Sequence, residues 1–161
     1  MPETRLEIRI FGDPVLRKKA KPVKLVTAQH RKILLAMAKS MYEDSGIGLA
    51  APQIGISEQL IVADIGDGLY KLINPKIIKK QGSQVVQEGC LSVPGVCIKV
   101  RRAKQVWVEA LGENNCPLKL VAKGLFACVL QHEIDHLKGK LIVDYASFLE
   151  KLRIKRKLHA K

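Results

Sequence analysis

The run QHEIDH at residues 131–136 constrains this chain more than any other feature. It is an HExxH pattern inside a segment, 124–137, whose apolar residues recur at helical spacing. Residues four apart lie on one face of a helix, so His132 and His136 can share one tetrahedral metal ion. Glu133 then lies beside the open coordination position, where it can take a proton from bound water. The segment also carries Leu125, Val129 and Leu130, which favour a buried helix over two solvent-exposed histidines.

Two histidines do not complete a metal site, so the third ligand decides the class of protein. The extended zincin pattern HExxHxxGxxH matches through Gly139, but Ile142 stands where that pattern has its last histidine. A downstream glutamate ligand would have to be Glu150, which lies in a strongly basic segment. The sequence therefore disfavours both common zincin arrangements.

A cysteine ligand is the remaining option. Cys128 shares the helical face with His132 but lies eight residues from His136, roughly 12 Å along a helix. His30 and His159 fall in predicted terminal helices, with no loop to direct them towards the site. Cys90 is flanked by glycine and proline in EGCLSVPG, a pattern typical of a strand that ends beside a site. The alternative for Cys90, a small buried hydrophobic residue, stays open at this point.

Composition narrows the possible partners and the cellular compartment. The 161 residues carry 28 Lys and Arg against 15 Asp and Glu, a net charge of +13 that indicates a polyanionic partner or simply a basic soluble protein. No apolar run reaches the roughly 18 residues of a transmembrane helix, and the first residues lack the apolar core of a secretory signal. We therefore expect a cytoplasmic protein with no membrane partner, in which the four cysteines are thiols.

Two further classes are disfavoured by residue usage. The cysteine spacings include no CxxC pair, which argues against a zinc ribbon. One Trp, three Tyr and three Phe are few for a surface that stacks the bases of a single strand.

Local patterns predict helices at both ends of the chain and at the HExxH run. Asp13-Pro14 begins a short basic helix that extends through Ala20, and Thr27 is the predicted N-cap of a long helix ending near 44–46. The helix at 124–137 stops at Gly139, and a last helix spans about 146–158.

The intervening signals are those of a loop and of strands. The decapeptide GIGLAAPQIG at 46–55 predicts a shaped loop. Short segments rich in Val and Ile predict strands at 60–64, 70–73, 77–78, 84–86, 96–100, 106–110 and 118–121. Because the strands are consecutive, the predicted class is α+β, with mostly antiparallel short sheets packed around a central HExxH-bearing helix, an N-terminal helix and a C-terminal helix.

Three segments together resemble the signature motifs of the peptide deformylase family. They are GIGLAAPQIG at 46–55, EGCLSVPG at 88–95 and QHEIDHLKG at 131–139, in this order. The resemblance covers almost the whole chain and implies a single catalytic domain over 1–161. It also implies the activity, which is hydrolysis of the formyl group from the N-terminal formyl-methionine of nascent polypeptides, with release of formate.

By motif position, the resemblance implies that Cys90, His132 and His136 hold one divalent metal ion, with water as the fourth ligand. Fe²⁺ is the metal expected physiologically for the family. A thiolate ligand makes the site soft enough for ferrous iron and also compatible with Zn²⁺, Ni²⁺ or Co²⁺.

The resemblance also implies catalytic roles. Metal-bound water would attack the formyl carbonyl, with Glu133 as the general base and then as the acid that protonates the departing amine. Gln53 and the backbone N–H of Leu91 would stabilise the oxyanion, the kind of preorganised donors that acyl transfer requires.

Substrate-binding and supporting residues are implied with the same motifs. Glycines in the first motif let a peptide backbone approach closely, as the family's edge-strand substrate pairing requires. The expected substrate-binding residues are Gly46, Ile47, Gly48, Val86, Gly89, Leu125 and Val129. Behind the ligands, Glu88 and Asp135 are expected to orient the histidines, and Arg102 to neutralise one of these carboxylates. Cys97 departs from the family pattern, which often has a polar, basic or aromatic residue there near the substrate channel.

Two other functions are open to a chain with these features. A zincin protease would share HExxH and cut internal peptide bonds, but Ile142 and the other two motifs argue against it. A basic nucleic-acid-binding protein with a structural metal would need a closed site of four ligands, and only three plausible ligands are present. We expect no sequence-specific DNA recognition.

The C-terminal segment concentrates the positive charge. Residues 150–161, EKLRIKRKLHAK, carry a net charge of +5, which leaves +8 for the other 149 residues. This segment has little apolar stripe of its own and is expected to lie well outside the catalytic motifs. In enzymes that it resembles, such a helix docks on the ribosome near the exit tunnel, so phosphate contact there would serve localisation.

Overall fold

A computed structural model describes residues 5–160, in which seven strands form two antiparallel sheets. The strands are β1 (Gly48–Ala50), β2 (Leu60–Ala63), β3 (Tyr70–Gln81), β4 (Gln84–Cys90), β5 (Val93–Arg102), β6 (Gln105–Leu111) and β7 (Pro117–Lys123). The larger sheet has the order β1-β2-β3-β6-β7, and β4 pairs with β5 in the smaller one. β1 and β7 are therefore the edges of the larger sheet.

Two helices cover opposite faces of the larger sheet. Along β2, Leu60 and Val62 pack in one apolar cluster with α1 (Ala28–Glu43), while Ile61 and Ala63 pack in another with α2 (Gly124–Leu137). Successive side chains of a strand point to opposite faces, so this alternation places β2 between the two helices. α1 contacts β1 and β2 and packs in one cluster with Ile73 of β3 and Leu111 of β6, so its contacts reach only one end of the outer face of β3 and β6.

The helix α2 lies at the centre of the fold. It contacts β1, β2, β3, β6 and β7 of the larger sheet and β5 of the smaller one. Ten of its fourteen residues are buried, including Glu133 and His136. The predicted α+β class, with antiparallel sheets around an HExxH-bearing helix, is confirmed. The prediction of one catalytic domain over 1–161 stays a prediction.

The smaller sheet and the last helix form a third apolar cluster. Val96 and Ile98 of β5 pack with Leu141 and with Ile154 of α3 (Phe148–His159). The Lys157 side chain of α3 donates a hydrogen bond to the carbonyl of Gly95. The expectation that this helix lies well outside the catalytic motifs is therefore wrong, because α3 contacts the segment EGCLSVPG. Within residues 5–160, no helix has the length and apolar character needed to cross a bilayer.

The predicted basic helix at 14–20 is shorter than expected. It is a single 3₁₀ turn, Pro14–Arg17, capped by the Asp13 side chain, which accepts a hydrogen bond from the Val15 N–H at 3.0 Å. After Arg17 the backbone groups no longer form helical hydrogen bonds. The Ala20 N–H, for example, donates to the carbonyl of Leu137 at the end of α2. Tertiary hydrogen bonds thus replace the helical ones.

Two other segments are more regular than the sequence suggested. The predicted loop 46–55 contains β1 and the 3₁₀ turn Ala51–Ile54. The predicted strands 70–73 and 77–78 are one strand, β3, with register shifts on both sides of Ile77. Asn74 takes a left-handed conformation, and its side chain bonds both backbone groups of Val23, so the strand continues through Asn-Pro.

Gly139 ends α2 at a position that requires glycine. Its φ is +77°, and a β carbon there would overlap the backbone carbonyl of Arg17. We expect Gly139→Ala to lower the free energy of unfolding by about 2–3 kcal/mol, because strained backbone adds to overpacking. Urea denaturation measures the difference.

Gly66→Ala is the matched control for this prediction. Gly66 also has a positive φ, +110°, but nothing lies within 4 Å of its missing β carbon. Its expected loss is about 1 kcal/mol, from backbone conformation alone. Equal losses in the two variants would contradict a packing role for Gly139.

Candidate active site

A pocket of about 590 Å³ lies between the edge strand β1 and the smaller sheet, with α2 as its floor. All seven predicted substrate-binding residues line it, namely Gly46, Ile47, Gly48, Val86, Gly89, Leu125 and Val129. Ile47 and Leu125 are 44% and 56% exposed, large apolar side chains at the pocket rim. Exposed apolar surface in a concave site is typical of ligand contact.

Cys90, His132 and His136 converge at the pocket. Cys90 ends β4, and the two histidines lie one turn apart on α2. Their ligand atoms all lie within 4.8 Å of one another. The Nε2 atoms of the two histidines are 3.2 Å apart, and the Cys90 Sγ is 3.4 Å from the His136 Nε2.

These separations suit one tetrahedral metal ion. With ordinary metal–ligand bonds, two nitrogens of a tetrahedral site are roughly 3.3 Å apart, and a nitrogen and a sulfur roughly 3.6 Å. One sulfur and two imidazole nitrogens are also a donor set that Zn²⁺ and late first-row metals accept. The three residues therefore fit the metal that the HExxH pattern implies.

The electrostatic environment of His132 also favours a cation. Burial alone would lower the pKa of His132, but its hydrogen bonds with Cys90 and Glu88, together with the charge of Glu133, raise that pKa well above its usual value. Burial lowers the pKa of His136, which keeps this imidazole neutral and able to donate a lone pair. The negative groups that attract a proton to His132 would equally attract a metal cation.

Glu133 lies in a space that Gly48 leaves open. A β carbon on Gly48 would be 2.7 Å from the Glu133 Oε1 and 3.0 Å from the Val129 Cγ1. The Oε1 atom is 3.9 Å from the His132 Nε2, on the metal side of the pocket. Burial raises the pKa of Glu133 to about 7, against the opposing charge of His132. The Oε2 atom has no hydrogen-bond partner within the described residues.

Gln53 is held so that its amide nitrogen points to the metal site. Its Oε1 accepts a hydrogen bond from the Ala50 N–H at 2.9 Å, while its Nε2 donates to the Ser92 Oγ at 3.2 Å and lies 3.6 Å from the Cys90 Sγ. Leu91 follows Cys90 in the turn between β4 and β5 and also lines the pocket. Both predicted oxyanion donors thus adjoin Cys90.

A buried ion-pair network supports His132. The His132 Nδ1 donates a hydrogen bond to the Glu88 Oε1 at 2.9 Å. Arg102 donates two more hydrogen bonds to the same carboxylate, at 2.7 and 2.8 Å. Burial alone would raise the pKa of Glu88, but the bonds from Arg102 and His132 lower it to about 2. Glu88 is therefore a carboxylate that fixes both the ring orientation and the tautomer of His132.

Asp135 and Arg102 differ from their expected roles. Arg102 contacts two carboxylates rather than one, since its Nη1 also donates to Asp135 at 2.7 Å. Asp135 accepts from Arg102 and from the Tyr145 hydroxyl at 2.6 Å, and no bond to a histidine ring is formed among the described residues. Asp135 points away from the two histidines because it precedes His136 directly, and adjacent residues of a helix point about 100° apart around its axis.

Sequence reasoning missed two contributors, Ser92 and Tyr145. Ser92 is fully buried and orients Gln53, and its place in EGCLSVPG was the available signal. Tyr145 lies in the 3₁₀ turn Ile142–Tyr145, and its link to Arg102 depends on tertiary packing that no local pattern shows. Cys128 and Cys97 both line the pocket, but neither belongs to the convergent ligand set.

Comparison with known proteins identifies the family. The polypeptide deformylase family model matches residues 5–152. A peptide deformylase of Halothermothrix orenii is 48% identical over 141 residues, which are 86% of this chain and 92% of that protein. The crystal structure of a peptide deformylase from Legionella pneumophila has a TM-score of 0.94 at 41% identity, covering 98% of this chain and 95% of that one.

A second solved structure supports the same assignment. A peptide deformylase from Synechococcus elongatus, in complex with actinonin, has a TM-score of 0.90 at 43% identity, and the match covers 100% of this chain and 88% of that one. With the family model, the sequence relative and both structures in agreement, the chain belongs to the peptide deformylase family of metal-dependent hydrolases.

Proposed function

We propose that the pocket removes the formyl group from the terminal formyl-methionine of nascent chains, with Cys90, His132 and His136 as metal ligands. Membership of the family supports this reaction. The observation that carries the assignment of the site is the convergence of three ligand atoms within 4.8 Å, beside the buried carboxylate of Glu133.

One divalent metal ion, when bound, supplies Lewis acidity that polarises the formyl carbonyl and makes water more acidic. Fe²⁺ is our proposal for the physiological ion, and Zn²⁺, Ni²⁺ or Co²⁺ suit the same ligands. The sulfur atom of Cys90 supports this choice, because soft sulfur ligands favour such ions over magnesium or calcium.

Glu133 is the proposed general base and acid. Its Oε1 faces the metal ligands, so it can accept a proton from the attacking water and return it to the departing amine. The Glu133 side chain packs beside Gly48 and Val129. Its Oε2 accepts no hydrogen bond from the described residues, so no protein donor competes with water for this carboxylate oxygen.

Gln53 and the Leu91 N–H are the proposed donors to the oxyanion. The Gln53 amide is preorganised, because Ala50 fixes its oxygen and thereby directs its nitrogen towards Cys90. A fixed donor costs no reorganisation when charge develops on the formyl oxygen, and losing one such donor commonly costs about 10²- to 10³-fold in rate.

The peptide is proposed to bind as an added strand beside β1. β1 is an edge of the larger sheet, pairs only with β2 within it, and borders the pocket. An edge strand offers unpaired backbone groups to an extended peptide. The apolar Ile47, Val86, Leu125 and Val129 would then receive the methionine side chain.

Glu88, Arg102 and Asp135 are proposed as positioning residues. Glu88 holds the ring of His132, and Arg102 fixes Glu88 while Asp135 fixes Arg102. None of the three reaches into the reaction, so they act through His132. We further propose that the protein acts in the cytoplasm and that the basic helix α3 docks it on the ribosome.

Glu133→Gln tests the assignment of the base. We expect kcat/KM for formate release from a formyl-methionyl peptide to fall by about 10²- to 10⁴-fold, because the amide accepts no proton. Metal content should remain at one equivalent, as measured by elemental analysis after anaerobic purification. Glu113→Gln is the control, since Glu113 lies between β6 and β7 and pairs with Lys71. A Glu133→Gln protein with full activity would rule out Glu133 as the general base.

Cys90→Ala and Cys97→Ala test the ligand set as a matched pair of thiols. Both residues line the pocket, but only Cys90 has its Sγ within the ligand cluster. Cys90→Ala should therefore lose bound metal, while Cys97→Ala should retain one equivalent. Equal metal content in the two variants would rule out Cys90 as a ligand.

Docking through α3 is tested by charge rather than by deletion, because removing 153–161 would also remove Ile154 from the third apolar cluster. The variant replaces four exposed cations by Gln, at Lys151, Arg153, Lys155 and Arg156. We expect weaker ribosome binding with a smaller salt dependence, measured by cosedimentation, and unchanged formate release from a short peptide. Unaltered ribosome affinity across salt concentrations would contradict the proposal.

A further inference from the structure

The outer face of β3, β6 and β7 is a second basic surface, separate from α3. It is the face opposite α2, and α1 covers β1, β2 and only the ends of β3 and β6, at Ile73 and Leu111. Cross-strand register defines its members, because paired residues share a face of the sheet. The residues that matter are Lys76, Lys79, Trp107, Glu109, Lys119 and Lys123.

The register brings these side chains into rows. Glu109 of β6 pairs with Lys76 of β3 and with Lys119 of β7. Trp107 of β6 pairs with Lys79, whose Nζ lies 4.5 Å from the centre of the indole ring. The residues that alternate with them, such as Val106 and Val108, are buried against α2, which confirms the orientation of this face.

On this face the lysines outnumber the carboxylates that could neutralise them. Glu109 is the one carboxylate in these rows, and its Oε1 is 3.6 Å from the Lys119 Nζ. Within residues 5–160, Lys76, Lys79 and Lys123 form no ion pair. Three cations without an ion-pair partner on one face of a sheet produce a positive potential that suits a polyanion.

We propose that this outer face binds the phosphate backbone of RNA. The four lysines extend over two strand spacings and four residues of β7, about 10 by 14 Å, so they reach several phosphates of one chain rather than a single small anion. Contacts of this kind position a protein without reading sequence. The choice of RNA over DNA rests on the proposed function, because nascent chains emerge from an RNA-rich particle.

The surface suits nucleic acid better than an anionic membrane. Membrane-binding surfaces place bulky apolar side chains into the lipid. Here the aromatic ring of Trp107 is half-buried in the sheet and lies beneath Lys79. Val121, which pairs with Trp107, is an exposed apolar side chain of these rows, and it lies between Lys119 and Lys123 on β7. Ammonium groups therefore flank the apolar groups at the centre of the face.

The chain provides its own probe for this surface, because Trp107 is its only tryptophan. Titration of the full-length protein with a short RNA hairpin should change Trp107 emission in a saturable manner at low salt. Affinity, measured independently by the anisotropy of labelled RNA, should fall as salt rises. RNA binding without any change in Trp107 emission would overturn the proposal.

Two variants of equal charge locate the binding. Replacement of Lys76, Lys79, Lys119 and Lys123 by Gln should weaken RNA binding at least tenfold and reduce the salt slope by about 3. The four-residue α3 variant described above removes the same charge and should keep the response of Trp107. A sheet variant that binds RNA like the parent protein would refute the assignment.

Two further measurements separate the alternatives. Vesicles of anionic phospholipid that bind the face more tightly than RNA would show a membrane surface instead and overturn the proposal. Formate release should be unchanged in the sheet variant, which also shows that it is folded. Because RNA binding and formate release are measured separately, loss of one proposal is distinguishable from loss of the other.

Discussion

The ion pairs of Arg102 join three parts of the fold that the active site requires in a fixed relation. Arg102 belongs to β5, Glu88 to β4 and Asp135 to α2, so one guanidinium links the smaller sheet to the helix that carries HExxH. Removing one member of such a buried cluster typically costs about 3–5 kcal/mol, since the others stay buried without a partner. That cost does not make the cluster a large net source of stability. Its contribution is geometric, because the orientation of His132 follows from the position of Glu88.

Much of this arrangement is predictable from sequence, and the exceptions have a common cause. The HExxH spacing places His132 and His136 on one helical face, and apolar periodicity predicts the burial of that helix. Whether Cys90 is a ligand depends on how β4 ends beside α2, which the residues leave open and the resemblance to the family supplies. The positions of Asn74 and Tyr145 were beyond prediction for the same reason, because each bonds to a partner distant in sequence, Val23 and Arg102 respectively. Local sequence patterns predict the helices and strands, whereas hydrogen bonds between distant residues determine where these elements bend and which other elements they contact.

The charge of +13 acquires a spatial pattern in the structure. One portion lies on α3, whose buried Ile154 and contact from Lys157 to Gly95 attach it to the rim of the pocket. Another portion lies on the outer face of the larger sheet, around Trp107. Neither portion lines the pocket, where the charged side chains are Glu88, His132 and Glu133. Long-range attraction to polyanions is thus separated from the catalytic chemistry, so the two properties can change independently.

The contact between Gly48 and Glu133 has a consequence for inhibitor escape. Any side chain at position 48 would collide with the carboxylate of Glu133, so that residue cannot change without disturbing the proposed catalytic base. A compound that takes its hydrogen bonds from the backbone of β1 would rely on atoms that every residue except proline retains. Ile47 and Leu125 at the rim are less constrained, because their side chains are exposed and their replacement leaves the buried carboxylate untouched.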